Sequence, residues 1–419
     1  MASSKAEIPF PLHGFRAASD IPSFLMDLRR SISVDQLMNS ASNLHEYIEE
    51  LFKLVKVKST GKPTNIDELL NEAKSIQMFQ IISSDNTPWS QYSLPAGKSK
   101  TQWTIYDELV VATISLSHIY NVLTLETLDS NYEAGSITDS DWKRSSNLLR
   151  SSFSVLNEFK NSTSVDEYHS ANAGYILHLN TILVQLIVIF KNIYITFAEI
   201  DSRFGDFEKL PDRLSAYIKI LIFIYNELSV LEKLTTTEKE KRSLKIEIKS
   251  RSSDDLANVK LMKRYMEIIY CYYKSLDSYG ADSVGLAIGL VKYGLLNSMD
   301  QDPIKSKLKM NFHSNRKLKE KQMFKEDVIL IKQMNNLPLV FKKNLIMVIN
   351  LLKTLNVKFE KINNNIKFDK VIEADNIKKN YLFSANDLPT GMQVPLTDIQ
   401  RYVPSCLEQG LATPSRNYF

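Results

Sequence analysis

In block after block, this chain repeats its apolar residues with the period of an α-helix. The first clear block, SVDQLMNSASNLHEYIEELFKLVKV, places Val34, Leu37, Met38, Leu44, Tyr47, Ile48, Leu51 and Leu54 near one face. Ser33 and Gln36 have the spacing of a capping box, and Thr64 and Asp67 repeat it at the head of TNIDELLNEAKSIQMFQII, just after Pro63. The same period predicts helices over 103–128, 139–160, 166–203, 211–233, 254–278, 281–298, 314–334 and 339–362. Long helices joined by short connections imply a mostly α fold, an elongated bundle or a solenoid.

Three stretches break the period. DNTPWSQYSLPAGKSKTQW, with two prolines, a glycine and scattered aromatics, predicts an extended or looped excursion. EKLTTTEKEKRSLKIEIKSRSSDD predicts an exposed loop or a frayed helix end. In the last forty or so residues Pro389, Pro395, Pro404 and Pro414 forbid a long helix. Tyr381, Leu382, Phe383, Val394, Leu396, Ile399, Tyr402, Val403 and Leu407 are nevertheless too apolar for a free tail. The expectation is an extended strap over 376–419 lying on a helical body of about 31–365. No internal stretch has the composition of a linker, so one domain spanning 1–419 is expected.

Bulk chemistry narrows the function. The 52 basic and 48 acidic side chains leave a net charge of +4, too mild to imply nucleic-acid binding. Cys271 and Cys406 are the whole cysteine complement, which excludes a disulfide framework and a cysteine-rich zinc site. MASSKAEIPFPLHGF lacks the continuous apolar region of a secretory signal, so the cytoplasm is the expected compartment. Between Glu167 and Lys191 no formal charge occurs, and ILVQLIVIF is strongly apolar. A membrane span and a helix buried on all sides read alike here. The interruptions by His169, His178, Asn180 and Gln185 favour the buried helix.

No constellation carries catalysis. SYGADSVGLAIGLVKYGLLNSM holds Gly280, Gly285, Gly289 and Gly294. Gly280 and Gly285 have Walker spacing, but Leu286 and Ala287 stand where Lys and Ser/Thr are required. The stretch predicts a helix whose Gly285 and Gly289, four apart, let a neighbouring helix approach closely, with Gly280 at the turn before it. The histidines His13, His45, His118, His169, His178 and His313 show no HExxH spacing, and no GxSxG elbow is present. A non-enzyme without metal or cofactor is expected. The run IKSKLKMNFHSNRKLKEKQMFK, with eight Lys/Arg and one acid, fits either a solvated loop or a contact with anionic lipid through Lys305, Lys307, Lys309, Lys317, Lys319 and Lys321.

Several segments together resemble the Bro domain of endosomal-sorting adaptors such as ALIX and fungal PalA. YDELVVATISLSHIYNVLTLE resembles an early helix of that family, and DWKRSSNLLRSSFSVLNEFKN its next, with Trp142, Leu148, Phe153 and Leu156 in register. KLMKRYMEIIYCYYKSLDSYGADSVGLAIGLVKYGLL resembles its paired late helices, with Tyr279-Gly280 as the turn between them. NYLFSANDLPTGM resembles the extended segment after the last long helix. The ending LPTGMQVPLTDIQRYVPSCL is similar to that of the fungal PalC type, departing from it at Met392 and Ser405. The family's LAQAQE helix motif is missing; its nearest trace is TFAEID, Thr196–Asp201.

The resemblance implies an elongated, curved single domain with a small N-terminal β-hairpin region. It implies a non-catalytic adaptor of fungal ambient-pH (alkaline) signalling, recruited to plasma membrane or endosome. Such a protein promotes proteolytic activation of a zinc-finger transcription factor together with other components of that pathway. The implied partner is the C-terminal helix of an ESCRT-III subunit, seated in an apolar groove. The family's groove residues fall near Phe204, Tyr217 and Leu221 of this chain. Another helical scaffold, such as a vesicle-tethering or endosomal-sorting protein, is the alternative.

Overall fold

A computed structural model describes residues 8–80, 87–90, 102–134, 137–162, 165, 167–202, 213–236, 253–299, 330, 334, 337–383 and 402–407. Near the N-terminus lie α1 (Ser23–Arg30), α2 (Leu37–Lys58) and α3 (Ile66–Ala73), then strands β1 (Gln77–Gln80) and β2 (Gln102–Thr104). Seven long helices follow: α4 (Ile105–Ala134), α5 (Asp139–Asn161), α6 (Glu167–Ser202), α7 (Leu214–Thr236), α8 (Ser253–Gly280), α9 (Val284–Met299) and α10 (Leu339–Ile362). A π-helical turn, Asn363–Lys367, and a short α11 (Ala374–Asn380) continue the chain. The fold is mostly α-helical with a small antiparallel hairpin near its start.

Neighbours in sequence are neighbours in space: α4 packs on α5, α5 on α6, α6 on α7, α7 on α8 and α8 on α9. α10 closes the series against α9, α6, α4 and α8. Asp129 of α4 fixes its entry, accepting the backbone N–H groups of Leu339 (3.0 Å) and Val340 (2.6 Å). Pro338, the N-cap residue, offers no capping side chain, so a carboxylate from another helix satisfies the first-turn donors.

A two-stranded hairpin is marginal alone. Here Met78, Phe79 and Trp103 are fully buried against the helices, and Phe79 pairs with Trp103 beside a bulge between Gln77 and Phe79. The excursion read at DNTPW is extended where it is described: Pro11 bridges to Trp89, and Leu12 N–H donates to the Pro88 carbonyl at 2.8 Å. A buried knot ties this region to α1, α2 and α4. Glu108 Oε1 accepts from Arg29 Nε (2.7 Å) and the Tyr47 hydroxyl (2.9 Å), and Oε2 from the indole N–H groups of Trp89 (2.9 Å) and Trp103 (2.7 Å). Arg29 also donates to the carbonyls of Leu12 and Pro88, so its buried charge is hydrogen-bonded on several sides.

Both capping assignments shift. α2 starts only at Leu37, and Ser33 is instead clasped by Ser40, whose hydroxyl accepts the Ser33 N–H (2.9 Å) and donates to its carbonyl (2.6 Å). At α3 the cap is Asn65, whose side chain accepts the Glu68 N–H at 2.9 Å while Glu68 accepts the Thr64 N–H at 2.7 Å. Asp67, one residue short of that position, accepts instead from Ser162.

The glycine helix α9 forms as read, but the close neighbour is not a helix. A Cβ on Gly285 would collide with the carbonyl oxygen of Lys370, and one on Gly289 would lie 2.6 Å from that of Ile372. The extended segment after the π turn crosses this face, and Ile372 N–H donates to the Gly285 carbonyl at 3.3 Å. Only Gly294 faces helices, beside Leu352 of α10 and Cys271 of α8. α8 ends at Gly280, but the left-handed residue of the turn is Asp282 (φ 63°).

The strap expected over 376–419 begins with the helix α11 instead of extended chain; Pro389, Pro395 and Pro414 lie outside the described residues. Farther on, Tyr402–Leu407 lies on α2. Glu49 accepts from the Tyr402 hydroxyl and from Ser405 N–H, both at 2.7 Å, and Lys56 donates to the Cys406 carbonyl. Of the helix expected at 314–334 only Leu330 and Met334 are described, both buried.

By length and composition alone, α4, α6 and α7 each contain a stretch able to cross a membrane. In the fold 83% of the most apolar α6 window is buried among other helices, against 33% for α7. Two of the polar interruptions of α6, Asn180 and His178, are partnered: Asn180 Nδ2 donates to Ser152 Oγ (2.7 Å) on α5 and Ser117 Oγ (3.2 Å) on α4. His178 Nδ1 lies 2.5 Å from Glu227 Oε2 on α7.

Candidate protein-docking groove

Toward its C-terminal end α6 surfaces between α5 and α7. Val188 and Ile195, seven residues and two turns apart, are 43% and 42% exposed. With them Asp139, Trp142, Lys143 and Ser146 of α5, Ile187, Lys191 and Asn192 of α6, and Tyr217 of α7 line a groove of about 540 Å³.

The walls are held rigidly. Trp142 is buried and meets Tyr132 and Tyr194 edge-on, each at 6.3 Å between ring centroids. On the other wall the Asn192 side chain bridges two tyrosines. Its amide donates to the Tyr217 hydroxyl at 3.0 Å, and its oxygen accepts from the Tyr273 hydroxyl at 2.7 Å. The Tyr217 and Tyr273 rings lie 5.2 Å apart. Burial pushes the Tyr273 phenol well above its usual range, so it stays a neutral donor to Asn192. Lys191 of α6 pairs with Asp139 of α5 at 2.7 Å across the groove, and Lys143 adds a second cation. The rim is therefore polar and slightly cationic, while the floor is aliphatic and aromatic.

Among the described residues no group of three His, Cys, Asp or Glu side chains is placed to hold a metal ion. Cys271 is a fully buried thiol, raised well above its usual range by burial and by Glu267.

Of the residues the sequence singled out, Tyr217 lines the groove. Leu221, one turn on, is fully buried in the core and presents no surface. Phe204 and Lys305, Lys307, Lys309, Lys317, Lys319 and Lys321 lie outside the described residues. Val188, Lys191, Asn192 and Ile195 were not legible as a site. When every face of a helix is apolar, period cannot distinguish the exposed stripe from the buried ones. The one available signal was Lys191, the first charge after the long uncharged run.

Residues 103–419 match a family model described as "Family of unknown function (DUF5355)". The chain belongs to this family. The DUF5355 match takes in α4 to α10 and therefore the entire groove. No curated protein matches the chain. A solved structure described as "Structure basis for endosomal targeting by the Bro1 domain" is 13% identical, covering 85% of this chain and 79% of that one, with a TM-score of 0.48.

Proposed function

We propose that this DUF5355 protein is a non-catalytic adaptor whose α5–α6–α7 groove receives an amphipathic helix from a protein partner. The observation that carries this is the exposed Val188–Ile195 stripe, set between the Trp142 and Tyr217 walls. Two apolar side chains at two-turn spacing match the anchors of a helix laid alongside. Lys143 at the rim, beside the internally paired Lys191 and Asp139, favours a partner with an acidic residue beside those anchors.

The Bro-domain resemblance of segments 106–126, 141–161 and 260–296 makes the C-terminal helix of an ESCRT-III subunit the occupant of choice. The same resemblance is the support for a role in ambient-pH signalling, upstream of proteolytic activation of a zinc-finger transcription factor. It works in the cytoplasm, at plasma membrane or endosome. The Lys305–Lys321 run would add an anionic-lipid contact.

The test is fluorescence anisotropy with a labelled ESCRT-III C-terminal peptide. Val188→Asp and Ile195→Asp are expected to weaken binding at least about tenfold, the loss of one buried aliphatic anchor, with the helical circular dichroism signal unchanged. Unchanged affinity in both folded variants excludes the groove. If the wild type binds no such peptide, the occupant is different, and a general scaffold for vesicle tethering or endosomal sorting becomes the better reading.

A further inference from the structure

α10 ends in an unusual way. After Ile362 the helix widens into the π turn Asn363–Lys367 and stops at Phe368, which sits in the left-handed region at φ 57°, ψ 26°. That position at a helix end ordinarily goes to glycine, because a side chain there is strained. Phe368 makes no use of the fold in return: it is 74% exposed. Ile366 is 67% exposed and Val357, on the last turns of α10, 61%. Apolar side chains so exposed gain nothing by packing within the fold.

The turn is nonetheless firmly built. Asn363 is buried, and its side chain clasps the next residues: Oδ1 accepts the Asp369 N–H at 2.8 Å, and Nδ2 donates to the Asp369 carbonyl at 3.0 Å. Phe368 N–H donates to the Asn363 carbonyl at 2.8 Å. The following segment is locked onto α9 through its glycines, with Gly285 N–H donating to Asp369 Oδ2 at 3.2 Å. A strained turn held from beneath, with its greasy residues outward, has the form of a functional element.

Charge identifies the partner. VKFEKINNNIKFDK, Val357–Lys370, carries Lys358, Lys361, Lys367 and Lys370 against Glu360 and Asp369, and Lys367 is paired with Asp282 at 2.7 Å. Both acids are engaged internally, Glu360 with Lys292 at 2.7 Å and Asp369 with the Gly285 N–H. Lys361 and Lys370 are exposed beside the apolar residues. Aromatic and aliphatic side chains ringed by lysines match the boundary between acyl chains and anionic headgroups.

We propose that the turn Asn363–Lys370 is a membrane-interface anchor, inserting Ile366 and Phe368 into an anionic bilayer surface while Lys361 and Lys370 meet the headgroups. It is independent of the α5–α6–α7 groove and of the Lys305–Lys321 run. The experiment is co-sedimentation of the full chain with phosphatidylcholine vesicles containing or lacking phosphatidylserine. Wild type is expected to pellet with the anionic vesicles and to be released by salt. Phe368→Gly relieves the backbone strain, so its unfolding midpoint should equal or exceed that of wild type while vesicle partition falls by about tenfold. Lys361→Glu with Lys370→Glu should lose at least about fivefold per lysine, on anionic vesicles only. The proposal is overturned if wild type does not pellet with anionic vesicles, or if folded Phe368→Gly pellets as wild type does. It is equally overturned if Phe368→Gly abolishes binding of a protein partner and leaves vesicle binding intact.

Discussion

Glu108 holds two positive claims at once: it neutralises Arg29 and accepts from three further donors in the interior. Glu108→Gln keeps the shape but removes the charge, and its amide would face N–H donors where an acceptor is needed. Because Arg29 would be left buried and unpaired, a loss of about 3–5 kcal/mol is expected in chemical denaturation. A loss under about 1 kcal/mol would show that the knot is not a structural centre. Glu267 behaves in the opposite sense. Burial raises its carboxyl above the usual range, outweighing the Asn297 amide and the nearby Lys378 charge. A raised folded-state value favours the protonated fold, so this stability is present at acid pH and is lost as pH rises through that value. Glu267→Gln should therefore gain in thermal midpoint relative to wild type as pH rises from acid to neutral. A difference constant with pH would contradict the assignment.

At the scale of elements, the glycines of the helices divide by what approaches them. In α6 a Cβ on Gly174 would meet only Lys160 at an ordinary 3.7 Å, so Gly174→Ala should stabilise by up to about 1 kcal/mol through helix propensity. In α9 the backbone of the Asp369–Ile372 segment leaves no room at Gly285, and overpacking of about 1–3 kcal/mol should outweigh the same propensity gain. Paired thermal melts of the two variants, shifting in opposite directions, check both; a stabilised Gly285→Ala would mean that the segment is not seated on α9. Helix positions were legible because burial enforces the period: α5 at Asp139–Asn161 and α10 at Leu339–Ile362 lie within a residue of expectation. The partner of the α9 glycines was not, since a small-residue stripe records close approach without naming what approaches. The α3 cap moved by one residue because Thr64 and Asn65 compete for the same orphan N–H groups, while α2 starts at Leu37 with no side-chain cap from Gln36.

For the whole molecule, the order of elements was legible, whereas which helix face stays exposed was not. Of the residues the resemblance assigned to a groove, Tyr217 lines the proposed one, and Leu221 one turn away points into the core. Leu221→Asp would bury an unpaired carboxylate and is expected to unfold the chain, whereas Ile195→Asp should leave it folded. The central claim is that a partner helix lies along the exposed stripe of α6. Site-specific photocrosslinking tests it most directly, with a photoreactive residue at Ile195 and a control at Val57, which is exposed on α2 away from the groove. The account predicts covalent capture of an ESCRT-III C-terminal peptide from position 195 and none from position 57. Equal capture from both positions, or none from 195 with a peptide that binds, would contradict it.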